Sequence, residues 1–169
     1  DMGSEWLSPV GTSYLMDRLS SEANKEIVFF RPVLKLQESV ILRLQQADQR
    51  NVRITIVYGK ERNQTRGQRW YKEYKNLRIL HHDKLNTFFY RNEKEMILTS
   101  MGLSDLSGSK YSHMGLLVSK LRDRKAYEDG TYEQELMIEY AEEVFAGANF
   151  QQPEERINPE QIIGEMPYL

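Results

Sequence analysis

The stretch "DKLNTFFYRNEKEMILTSMGLSDLSGSKYSHMGLLVS", residues 83–119, decides the fold. Three runs inside it are rich in β-branched, aromatic and aliphatic residues: "NTFFYRN" (86–92), "EMILTS" (95–100) and "MGLLVS" (114–119). Each reads as a strand. The polar turn "NEKE" between the first two predicts a hairpin, although it lacks the glycine of the strongest hairpin turns. Just upstream, "LRILHH" (77–82) adds a fourth strand.

Farther out, "KEIVFFRP" (25–32) is a short apolar strand stopped by Pro32, and "VRITIVYG" (52–59) is a buried strand closed by Gly59. Residues 36–50 between them place Val40, Ile41, Leu44 and Ala47 on one helical face. Strand, helix and strand together predict a parallel pair joined by a crossover helix. Residues 7–23 hold Tyr14, Leu15 and Leu19 near helical spacing, which predicts another helix. The second half of residues 60–76 is also expected to be helical. "TYEQELMIEYAEEVFAG" (131–147) predicts a last helix, with Thr131 as N-cap and Gly147 past its end. Leu136, Met137, Tyr140, Val144 and Phe145 would turn inward. The expected fold class is therefore α/β, a mixed β-sheet flanked by helices on both faces.

Composition narrows the function. At 169 residues the expectation is one domain, residues 5–150, followed by a tail over 151–169. Residues 1–4 are left out of the fold. The tail holds three of the five Pro, offers one short helix start at Asn158-Pro159, and is either docked or mobile. With 23 Lys+Arg against 25 Asp+Glu, the net charge of -2 gives no global pull toward nucleic acid or an anionic membrane. A local patch remains open. The absence of Cys excludes disulfides, thiolate catalysis and Cys-ligated metal sites. The three His (His81, His82, His113) are too few for a His-rich centre, so no metal and no cofactor are expected. No apolar run approaches the roughly 20 residues needed to span a bilayer, and no signal-peptide pattern opens the chain. A cytoplasmic protein without membrane contact is expected.

The 83–119 stretch resembles the core of the phospholipase D-like phosphodiesterase superfamily, in its single-motif bacterial form. Members of that type show a strand "LHAK-aromatic", a short turn, a strand ending "TSMNL", a Ser/Asn-rich loop and an "E-M-G" strand. "YRNEKEMILTSM" (90–101) is the best-matched part, and "GLLVS" (115–119) matches the later strand. The opening β-α-β over residues 25–59 also resembles the family's. The frame over 83–119 matches without gaps, and the likeness covers about residues 7–120, with the helix expected at 131–147 as a candidate closing helix.

The resemblance also implies a set of functional positions. The family motif is H-x-K-x-x-x-x-D/E, in which His is the nucleophile of a phospho-enzyme and Lys binds the phosphate oxygens. A downstream Ser and Asn support the phosphate, and a Glu orients the His in many members. Carried over, the His position is Asn86, the Lys position Phe88, the acidic position Glu93, the Ser position Ser100, the Asn position Gly102 and the orienting Glu position His113. An Asn amide has no nucleophilic lone pair, so Asn86 cannot form the covalent intermediate. Phe88 brings no charge to a phosphodiester, and charge clamping of this kind is often the largest single contribution to such catalysis. Four of the six positions are replaced while the strand frame survives. The expectation is a fold kept without its reaction.

Two features keep other readings open. His82-Asp83-Lys84 also reads H-x-K, but its acidic position would fall on Phe89, and the motif would lie between strands. His82 and His113 are therefore the alternative nucleophiles of a relocated phosphodiesterase or nuclease. The stretch 60–72 interleaves Lys60, Arg62, Arg66, Arg69 and Lys72 with Trp70 and Tyr71, a pattern suited to phosphate backbones and stacked bases. Its plainer reading is a solvated face whose Trp70 packs into the core. Three functions follow: a catalytically inactive homodimeric interaction or assembly module, a nucleic-acid-binding domain, and an active phosphodiesterase. Single-motif members of the family pair as two-fold dimers with the active site at the seam, so a homodimer is the expected partner arrangement, with nucleic acid or another protein as further candidates.

Overall fold

The computed structural model describes residues 3–100 and 113–150. Residues 101–112, with the motif position Gly102, and the expected tail over 151–169 lie outside the described residues. One mixed sheet of eight strands runs in the order β1-β7-β6-β5-β2-β3-β4-β8. Its strands are β1 (Ser4–Leu7), β2 (Glu26–Arg31), β3 (Arg53–Tyr58), β4 (Leu77–His81), β5 (Phe88–Asn92), β6 (Glu95–Thr99), β7 (Gly115–Ser119) and β8 (Glu142–Ala146). The helices are α1 (Pro9–Ser21), α2 (Glu38–Gln49) and α3 (Arg124–Glu139). β2, β3 and β4 are parallel, and every other pairing is antiparallel. The β5–β6 hairpin turns at Glu93-Lys94, within the polar segment that predicts it.

Strand alternation sorts the core onto two faces. Ile27 and Phe29 of β2, Ile54 and Ile56 of β3 and Ile79 of β4 join Leu15, Leu19, Leu44 and Ala47 beneath α1 and α2. Val28, Phe30, Val57 and Leu80 point the other way, against Met137 and Ile138 of α3. Burying both faces explains why β2 and β3 are nearly continuous apolar runs. Helices therefore cover both faces, as the sequence predicts.

Three local expectations fail. The helix expected over 7–23 is present as α1, but the residues ahead of it do not lie outside the fold. Pro9 starts α1, Ser8 Oγ caps it by accepting from the Gly11 N–H at 3.2 Å, and residues 4–7 form β1 against β7. Ser4, set aside on sequence, belongs to that ladder opposite Val118. Residues 66–76 follow turns rather than a helix: Arg66 is extended, Gly67 has φ +75°, and a 3-10 turn spans Arg62–Thr65. Tertiary bonds hold the segment instead. Asp48 accepts from the N–H groups of Lys75 and Asn76, and the Tyr74 hydroxyl donates to the Ile41 carbonyl at 2.8 Å. Burial, aided by the Asp48 charge, pushes the Tyr74 phenol well above its ordinary value.

The third failure is the last helix. α3 begins at Arg124, capped by Asp123, whose carboxylate accepts from the Ala126 N–H. Thr131 is an interior residue, and the helix stops at Glu139. The segment "EEVFA" then pairs with the open edge of β4, Ile79 opposite Phe145. Val144 and Phe145 do pack inward, but from a strand, whereas Tyr140 is exposed. A free strand edge offers a ladder of hydrogen bonds that outweighs helix propensity here. Gly130, inside α3, permits the helix to lie close to the sheet: a Cβ there would sit 2.6 Å from Met96 Sδ.

Candidate functional site

The carboxyl ends of parallel β2, β3 and β4 share one end of the sheet with the start of β5, the end of β6 and the start of β7. Open α/β sheets place ligands at this kind of end. α1 and α2 also begin there, so their partial positive ends face the same side. The β5–β6–β7 register gathers the motif positions. Phe88 pairs with Thr99, and Thr99 pairs with Gly115. Asn86 and His113 therefore each lie two residues ahead of the residue paired with Thr99, just before the starts of β5 and β7, and Ser100 follows the end of β6 at the same end of the sheet.

Ser100 and His113 meet. Ser100 Oγ lies 3.5 Å from His113 Nδ1 and accepts from the Met114 N–H at 3.2 Å. Asn86 is exposed. Phe88 is half-buried and packs on the core beneath α1 and α2, so its ring belongs to the hydrophobic packing. Glu93 stands apart from this group. It occupies the hairpin turn at the opposite end of β5, about 20 Å from Asn86 by strand rise. Its carboxylate accepts from the N–H groups of Asn24 and Lys25, both at 2.6 Å, and fixes the entry to β2. Glu93→Ala is expected to cost about 1 kcal/mol by removing a charge-assisted tie. A melting curve checks this: the midpoint should fall by roughly 2–4 °C.

The other two histidines are engaged by local structure. His81 stacks against Tyr58 at 4.9 Å, and its Nε2–H donates to the Lys60 carbonyl at 2.6 Å. That bond holds Lys60 at φ +51°, a conformation rare for a side-chain-bearing residue. His82 Nδ1 accepts from the Lys84 N–H at 3.2 Å. That bond ties the ring to its own turn.

Arg31 escapes the sequence reading. It ends β2 at the same end of the sheet and is fully buried. Its guanidinium donates to the carbonyls of Val33 and Lys35, shaping the loop that enters α2. The available signal was an Arg closing an apolar strand immediately before Pro, in "FFRP".

The basic stretch divides by depth. Lys60, Arg62, Arg66, Arg69 and Lys72 are all exposed. Arg62 reaches Glu142 at 3.4 Å. The aromatics lie underneath: Tyr71 is buried, and Trp70 is half-buried edge-on to Tyr71 and Tyr74. Trp70 Nε1–H donates to Gln68 at 2.9 Å. Gln64 secures the segment near the sheet end, donating to the Pro32 and Gly59 carbonyls and accepting from the Leu34 N–H. The cations thus face solvent while the rings are committed to packing. Among the described residues no three His, Asp or Glu side chains converge as a metal site, and no helix is long and apolar enough to cross a membrane.

No family model and no curated protein sequence matches the chain. Solved structures do. NucT from Helicobacter pylori superposes with a TM-score of 0.68 at 12% identity, over 83% of this chain and 98% of its own. Nuc from Salmonella typhimurium, a phospholipase D family member, gives 0.63 at 11% identity, over 85% and 97%. TrmBL2, an archaeal chromatin protein with a novel mode of DNA binding, gives 0.60 at 15% identity; the match covers 83% of this chain and 54% of TrmBL2. With a mixed eight-stranded sheet, helices on both faces and this set of structural relatives, the chain has the phospholipase D-like fold.

Proposed function

We propose that this chain is a non-catalytic phospholipase D-like module that acts in assembly as a homodimer. One observation carries the reading: Asn86 and Phe88 stand where the resemblance requires the nucleophile and the phosphate-binding cation. Neither can be exchanged for a neighbour without cost. Phe88 is packed on the core. His82 Nδ1 is already accepting a hydrogen bond. The remaining candidate nucleophile is His113, beside Ser100.

The test is hydrolysis of bis(p-nitrophenyl) phosphate and of plasmid DNA with EDTA present, because the family mechanism needs no metal. Wild type is compared with a His82→Ala/His113→Ala double variant. Equal, background-level rates are expected. Turnover that survives the chelator and disappears in the double variant would replace this reading with a relocated phosphodiesterase.

A second reading is nucleic-acid binding. Two observations favour it: the likeness to TrmBL2, described as binding DNA, and the five exposed cations of residues 60–72. Such binding would weaken with salt and lose part of its salt slope in Arg66→Ala/Arg69→Ala, since each lost phosphate contact removes about 0.9 from that slope.

A further inference from the structure

The sheet has two edge strands, β1 and β8, and their chemistry differs. β8 carries exposed Glu142 and Glu143, charges that discourage pairing with another β8. β1 is flanked instead by exposed apolar side chains. Trp6 is 74% exposed, and on α1 Val10 is 81% and Tyr14 66% exposed. Val10 and Tyr14 are four residues apart and share one flank of the helix. A groove of about 510 Å3 beside this edge is lined by Leu7, Tyr14, Leu117 and Leu121 together with Glu5 and Arg18.

The backbone of β1 is oriented for pairing. The Gly3 carbonyl accepts from the Ser119 N–H, so Gly3, Glu5 and Leu7 direct their peptide groups toward β7. By strand alternation Ser4 and Trp6 direct theirs outward. Side chains alternate as well: Leu7 faces the α1 core, so Glu5 shares its face and Trp6 takes the opposite one.

We propose that β1 pairs with β1 of a second copy of this chain, antiparallel, across a two-fold axis centred on Trp6. This rests on the homodimer reading above and assigns its surface. The register follows from parity. Opposed residues must share a face, so the axis falls on a residue rather than between two, and the central residues of β1 are Glu5 and Trp6. Centring on Glu5 sets two carboxylates against each other. Centring on Trp6 places the two indoles side by side, sets Glu5 opposite the partner's Leu7, and closes two Trp6 N–H to Trp6 carbonyl bonds. Such a contact is isologous and closed. Trp6, Val10, Tyr14 and Leu121 together leave roughly 600 Å2 exposed per protomer, against about 800 Å2 per partner in a standard interface. Pairing of the strand backbones adds to that area. The surface differs from the seam at the strand ends that the family resemblance implies.

Sedimentation velocity from about 1 to about 100 µM, a range that spans typical micromolar association, tests the assignment, with Trp6→Glu, Tyr14→Glu and His113→Glu as variants. All three side chains are exposed or half-buried, and circular dichroism checks that each variant is folded. Wild type and His113→Glu are expected to sediment as dimers of the 20.0 kDa chain. Trp6→Glu and Tyr14→Glu should weaken association by about tenfold or more, as loss of an aromatic anchor does. A dimer insensitive to both overturns the β1 surface while leaving the homodimer reading intact. Loss of the dimer in His113→Glu alone moves the interface to the strand ends. A wild-type monomer at the highest concentration overturns both.

Discussion

Arg91→Ala is expected to destabilise the fold by about 3 kcal/mol or more, because it breaks a buried charged network by removing its central partner. Arg91 lies on β5 with its side chain fully buried beneath α3. Its guanidinium donates to Gln134 Oε1 at 2.6 Å, to Glu26 at 2.5 Å and to Glu135 at 3.2 Å. Gln134 is itself fully buried and donates to the Phe89 carbonyl at 3.1 Å. Truncation leaves a cavity and an amide oxygen with no donor where water cannot easily reach. Glu26 and Glu135 are each about half exposed and can turn to solvent, so Glu135→Ala should cost less than about 1 kcal/mol. For a chain of this length the melting point of Arg91→Ala should drop by roughly 10 °C. Equal small shifts for the two variants would show that α3 is held by its apolar contacts with Phe89 and Leu80 rather than by this network.

Gly59→Val is expected to be almost as damaging, and its damage falls on the candidate site. Gly59 is buried at the end of β3, where its N–H reaches the Arg31 and Pro32 carbonyls and its own carbonyl accepts from Gln64. A Cβ there would collide with the Leu85 carbonyl oxygen and lie 3.1 Å from the Leu85 carbonyl carbon. The obstacle is backbone, so no rotamer change relieves it. Leu85 is buried with Val57 and Leu80, and the next residue is Asn86. Overpacking of this kind costs about 1–3 kcal/mol. It should also displace the turn that carries Asn86. Chemical denaturation reads the first effect, and nuclear magnetic resonance shifts of residues 82–87 read the second. A stable variant with unmoved shifts would show that the β4–β5 turn yields freely.

The candidate site was legible where it is built by local pattern. A hairpin and a neighbouring strand carry Asn86, Phe88, Ser100 and His113, and once those strands are paired their residues must arrive at one end. That Asn86 cannot attack phosphorus and Phe88 cannot neutralise a phosphate follows from their identities alone. Glu93 was not legible: its place in the motif suggested company with the others, but it serves the Asn24 and Lys25 amides at the far end of the strand. Arg31 was missed because a single cation at a strand end looks solvent-exposed until the loop carbonyls of Val33 and Lys35 are seen folding over it.

The amino-acid sequence by itself determined the strand runs, the parallel β2–β3 unit with its crossover helix and the identities of Asn86 and Phe88. These depend on side-chain periodicity within a few residues and on functional-group chemistry, both of which are local. Only the tertiary structure decided that "EEVFA" is a strand, that residues 66–76 stay unwound, and that Trp6 directs its peptide group away from the sheet. Each of these depends on a partner distant in sequence: the open edge of β4, the Asp48 carboxylate and α2, and the Gly3–Ser119 bond. A segment with weak intrinsic preference takes the conformation that satisfies its backbone groups against whatever neighbour the fold brings, and a local window contains no record of that neighbour.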